Sequence, residues 1–147
     1  MDASETEALF AQTLLGDYDD EAPWTAVSAL RRDGSREIFE RAAAWCSSDD
    51  ALKRARGADV LCQLQRAHAK NAPPEEYNPD WMFRDESYSL VTKMLEREED
   101  PMVLDSAISA LGHLDNARAV PLILRYQDHP DQNVHFAVTV ALGCFPE

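Results

Sequence analysis

The chain has 147 residues, 45% hydrophobic and 28% charged, with a formal net charge of −13. That length holds one ordinary domain with a real core, and no apolar run reaches transmembrane length. A field this negative repels phosphate backbones, which works against general nucleic-acid binding and favours a partner with a basic surface.

The charge is unevenly spread. Residues 1–22 carry seven acids and no base, 31–70 nine bases against six acids, and 71–147 fourteen acids against five bases. The opening "MDASETEALF" lacks a basic n-region and does not read as a signal peptide. Cys46, Cys62 and Cys144 form no C-x-x-C and fall inside helical patterns, so they read as reduced core thiols of a cytoplasmic protein.

In chain order, Leu9, Phe10, Leu14 and Leu15 predict a short amphipathic helix over 5–15, with Ser4 as N-cap and Glu7 three residues on. It has no counterpart further along and is expected to cap the N-terminal end. Trp24, Val27 and Leu30 predict a helix over about 21–32, with Pro23 tolerated in its first turn. After the turn "DGS", Ile38, Phe39, Ala42, Ala43 and Cys46 mark a second helix over about 36–46. "SSDD" at 47–50 offers N-caps for a helix running through Leu52, Val60, Leu61 and Leu64 to about Gln65. Residues 66–87 hold three prolines and no sustained period, and read as loop. A helix resumes near Asp85 with Leu90, Val91, Met94 and Leu95. Asp100 caps the next, through Val103, Ala107, Leu111 and Leu114; Val120, Ile123 and Leu124 mark another, and a last one covers about 132–144.

These helices repeat. Ala29-Leu30, Val60-Leu61, Ala110-Leu111 and Ala141-Leu142 are separated by 31, 50 and 31 residues, and the middle gap carries a 19-residue excess. A fixed period of this size means stacked copies of one supersecondary unit. Gly112 and Gly143 follow the last two pairs, where they predict close approach by a neighbouring helix or an early helix end. The chain stops after the first helix of a fourth unit. Val134, Val138, Val140, Leu142 and Phe145 are therefore expected to leave an apolar patch that meets a partner, a second copy or further repeats.

"DPMVLDSAISALGHLDNARAVPLIL" from Asp100 and its partial copy from Asp131 resemble the short HEAT-like repeat also found in phycobilin lyase subunits. The resemblance implies an all-α fold, an α-solenoid of antiparallel helix pairs. As divided here, 1–19 is the capping helix, 20–46 the first repeat, 47–97 the second with its insertion near 66–87, 98–129 the third, and 130–147 half of a fourth. Activity follows poorly from this scaffold, which also serves scaffolding proteins, a di-iron hydroxylase and DNA glycosylases. The hydroxylase type uses His-Glu dipeptides as iron ligands, whereas the histidines here precede Ala69, Leu114, Pro130 and Phe136. The glycosylase type needs a cationic groove, which this charge balance opposes.

No nucleophile elbow, P-loop, dinucleotide motif or metal-ligand spacing occurs, so no catalytic, cofactor or metal residue is assigned. The carboxylate runs 17–21 and 96–100 flank helices, where capping and the helix dipole account for them. Two groups are candidates for partner contact. In the insertion, Glu75, Glu76, Tyr77, Trp81 and Phe83 offer aromatic and acidic surface, or else Trp81, Met82 and Phe83 anchor the loop to its own repeat. In "DALKRARGAD", Lys53, Arg54 and Arg56 read as solvent-facing cations paired with nearby acids, or as a contact for an anion or acidic peptide. The reading is a non-catalytic protein-binding or scaffold module that grips a basic partner along the groove of the second helix of each pair. The alternative is a subunit of a phycobilin-lyase-type or other HEAT-repeat enzyme.

Overall fold

The structure, a computed structural model, describes residues 1–65, 82–114 and 116–145, and all regular structure among them is helical. The helices are α1 (Ala3–Gln12), α2 (Glu21–Asp33), α3 (Arg36–Trp45), α4 (Ala51–Leu61), α5 (Arg84–Leu95), α6 (Pro101–Leu114), α7 (Val120–Leu124) and α8 (Gln132–Gly143). This is the all-α solenoid expected from the repeat. None of these helices is long and apolar enough to cross a membrane.

Short polar side chains set the helix starts. The carboxylates of Asp2, Asp50, Asp100 and Asp131 accept backbone N–H groups of the first turns of α1, α4, α6 and α8, and the Ser35 hydroxyl does so for α3. Asp2 caps α1, not Ser4 as expected; the helix starts earlier, and Glu5 N–H donates to Asp2. Gly34 ends α2 in the left-handed region at φ 59°.

Packing fixes the phase of the array. α1 lies along α2, α3 along α4, α5 along α6 and α7 along α8, while α2, α4, α6 and α8 stack on one another. Thus α1, expected as a cap outside the repeats, packs along α2, and its buried Phe10 also meets Trp45 of α3 edge-on at 5.0 Å. Leu30, Leu61 and Leu111 are fully buried at equivalent positions, each adding about 1.5–3 kcal/mol. Leu142 is half-buried.

α8 departs from expectation. Val134, Val138 and Ala141 are buried, because they form the face pressed on α6. A methyl on Gly112 of α6 would stand 3.0 Å from Ala141 Cα, so the glycine permits this approach; Gly143 has nothing within 4 Å. Leu142 and Phe145 are half-buried, and the exposed apolar residues of α8 are Phe136 and Val140. Cys46 and Cys62 are buried as expected, but Cys144 is exposed beyond the end of α8.

Candidate functional site

α2, α4, α6 and α8 together wall a cleft of about 620 Å³. The expected groove lay on the second helix of each sequence repeat, which corresponds to α3, α5 and α7. The cleft instead lies on the first helices, because these are the ones that stack as a continuous layer. Trp24 and Arg31 come from α2, Met102, Asp105, Ser106 and Ser109 from α6, and Phe136, Ala137 and Val140 from α8.

A buried polar network underlies one end. Arg56 of α4 is fully buried, so the expected solvent-facing cation is corrected. Its Nε donates to Thr13 O and one terminal nitrogen donates to Tyr18 O, each at 2.8 Å. The other terminal nitrogen reaches Asp59 Oδ2 at 3.3 Å. The guanidinium also covers the rings of Tyr18 and Trp24, at 4.4 and 5.0 Å from their centroids. Tyr18 Oη hydrogen-bonds Asp59 Oδ2 at 3.0 Å and shares a short contact with Ser106 Oγ. One phenol therefore links the α1–α2 loop, α4 and α6.

Burial is the main force on this network's ionisation. It raises the Tyr18 phenol, and the Asp59 carboxylate raises it further, so Tyr18 is a neutral donor at ordinary pH. Burial also raises Asp59, against the opposing pull of Arg31 and Arg56 and of the Tyr18 and Ser106 hydroxyls. Arg31 Nε donates to Asp59 O at 2.8 Å, and the guanidinium lies 5.8 Å from the Trp24 centroid. Asp105 is raised to about 6, first by burial, then by the negative charges of Asp59, Asp19 and Asp131. His113, at the mouth, is lowered by desolvation and by Arg31. Among the described residues, no three His, Cys, Asp or Glu side chains gather as a metal site needs.

Apart from Arg56, the sequence-level candidates among the described residues lie elsewhere. Glu75, Glu76, Tyr77 and Trp81 fall outside the described residues. Phe83 stacks on Phe39 at 4.6 Å under the Arg36 guanidinium, which is the loop-anchor arrangement. Arg54 forms a two-pronged ion pair with Glu98 at 2.8 and 3.1 Å, and Lys53 lies over the Trp45 ring at 5.8 Å. Phe83, Arg54 and Lys53 do not line the cleft. Sequence reasoning missed Asp105 and Phe136, while Val140 was already expected in the apolar patch at the end of the chain. The signal for Phe136 was present: α8 is apolar on more than one face, so a single buried stripe cannot absorb all of it.

Comparison with known proteins agrees with this fold. A family model described as HEAT repeats matches residues 88–146, and that stretch is HEAT-repeat sequence. No curated protein matches. A solved structure of human deoxyhypusine hydroxylase, in complex with glycerol, is similar at TM-score 0.58 and 23% identity. The match covers 95% of this chain but 43% of the human one. The expectation that the chain is not an enzyme is thereby corrected, since a solved structure sharing its fold is an enzyme. At that identity the likeness establishes the fold alone.

Proposed function

We propose that the chain is a helical-repeat module that holds a partner segment with a basic surface in the cleft of α2, α4, α6 and α8. The observation that carries this is the pairing of Phe136 and Val140 with acidic groups on one cleft. Phe136 is 69% and Val140 45% exposed, one turn apart on α8, and Asp19 and Asp105 line the same cleft. Exposed aromatic and aliphatic side chains rimmed by charge are the usual anatomy of a binding surface. The net charge of −13 draws a basic partner by long-range steering. Buried thiols at Cys46 and Cys62 support a reducing, cytoplasmic setting.

Fluorescence anisotropy with labelled peptides of equal length tests this. Lysine- or arginine-bearing peptides should bind with an affinity that weakens as salt rises, and glutamate-bearing ones should not. Phe136→Asp should abolish binding while leaving the helical circular-dichroism signal intact. Equal binding of basic and acidic peptides, or full binding by the variant, would remove the proposal.

A further inference from the structure

Three carboxylates line the cleft, Asp19, Asp59 and Asp105, and they are not equivalent. The charge of Asp59 is already engaged by Arg56 and the Tyr18 hydroxyl. Asp19 is exposed on the loop before α2. Asp105 is half-buried in the wall, one residue before Ser106; the Ser109 hydroxyl hydrogen-bonds it, but it enters no ion pair among the described residues. Arg31, the cleft's own guanidinium, is committed to the Asp59 carbonyl, the Cys62 sulfur and the Trp24 face. Met102 and Phe136 add apolar surface to the same cleft.

Resting on the binding reading above, we propose that Asp105 is the specificity-determining residue of the cleft. It receives the cationic head of one lysine or arginine side chain of the partner, while Met102 and Phe136 take the aliphatic stem. Long basic side chains bind in this divided way, with the stem on apolar surface and the head on a polar group. A partly desolvated carboxylate gives a stronger charge-assisted hydrogen bond than an exposed one.

The electrostatics agree with the geometry. Burial first, and then the charges of Asp59 from α4, Asp19 from the α1–α2 loop and Asp131 from the start of α8, hold the Asp105 carboxyl up at about 6 against the Ser109 hydroxyl. The other charged or titratable groups at the cleft are Arg31, His113 and the buried Cys62 thiol, with the raised Tyr18 phenol beside Asp59. An incoming cation relieves the repulsion and lowers the Asp105 pKa, so binding releases a proton as pH nears 6. Affinity for a basic peptide should therefore fall as pH drops through about 6.

The same labelled lysine-, arginine- and glutamate-bearing peptides are titrated against the full chain and its Asp105→Asn, His113→Gln and Phe136→Asp variants from pH 5 to 7.5. Asp105→Asn should weaken the basic peptides by about tenfold at pH 7. It should also flatten the fall in affinity at low pH and raise the melting temperature, because a like-charge repulsion is gone. The better of the two basic peptides identifies the head group. If Asp105→Asn keeps wild-type affinity while Phe136→Asp loses it, Asp105 is not the determinant and the cleft still binds. The inference also fails if the pH dependence survives Asp105→Asn and vanishes in His113→Gln, or if Asp105→Asn lowers the melting temperature. Absence of any binding by the wild-type chain would overturn both the cleft reading and the inference.

Discussion

Arg56 illustrates how far a residue's surroundings can depart from its chemistry. In sequence it belongs to a basic run, and charge alone places it in water. In the structure residues 55–62 are all buried, because α4 lies in the middle of the stack with α2, α3 and α6 around it. A helix enclosed on every side must bury whatever its sequence supplies. Two backbone carbonyls, a carboxylate and two aromatic faces then satisfy the guanidinium. Arg56→Ala leaves Asp59 without its closest cation and is expected to cost about 3–5 kcal/mol in denaturant unfolding. The glycines make a second residue-scale pair. Gly112→Ala should cost about 1–3 kcal/mol by pressing on Ala141. Gly143→Ala, at the same repeat position with open space around it, should gain about 0.5 kcal/mol. The sequence showed that both positions are equivalent; only the packing separates their signs. Asp105 has a sign of its own. Its carboxyl is raised in the folded chain, so the native state binds more protons than the unfolded state between about pH 4 and 6, and stability rises as pH falls through that window. Asp105→Asn should remove this contribution from the measured pH profile.

At the scale of elements, periodicity located the helices and the buried leucines, but it could not set the phase of their pairing. The recurring Ala-Leu pairs identify equivalent positions without telling which neighbour each helix packs along. That choice depends on the turns. Gly34 turns the chain from α2 into α3 at a left-handed bend, where a side chain would collide with the Gln65 carbonyl. The same corner receives the chain leaving α4, as Gln65 N–H donates to Arg31 O at 2.8 Å. The chain entering α5 is fixed there too, with Met82 N–H donating to Leu64 O at 2.7 Å. Gly34→Ala is therefore expected to cost at least about 2 kcal/mol, from the strained φ and the clash together. Replacing Leu30, Leu61 or Leu111 by Ala should each cost about 2–5 kcal/mol. Leu142→Ala should cost less, since that leucine is only half-buried. Thermal unfolding of the four variants checks this ranking. The candidate site was less legible than the fold. The basic run and the insertion stood out by composition, whereas the cleft is assembled from scattered residues on four helices far apart in sequence.

For the whole molecule, the negative field and the exposed apolar pair on α8 act together. The charge of −13 opposes association of two copies at low ionic strength, where the Debye length is about 30 Å at 0.01 M. Light scattering should show a single chain there. Any self-association through Phe136 and Val140 should emerge as salt rises and disappear in Phe136→Asp. A basic partner reverses this balance, because attraction brings it to the cleft and apolar contact then holds it. The most direct test of that account is a backbone-amide NMR titration with the lysine- or arginine-bearing peptide. Shift changes should concentrate on Met102–Ala110 of α6 and Asn133–Val140 of α8, with smaller changes near Trp24, and spare α3 and α5. Changes centred on α3, α5 or residues 66–81, with α6 and α8 silent, would contradict it.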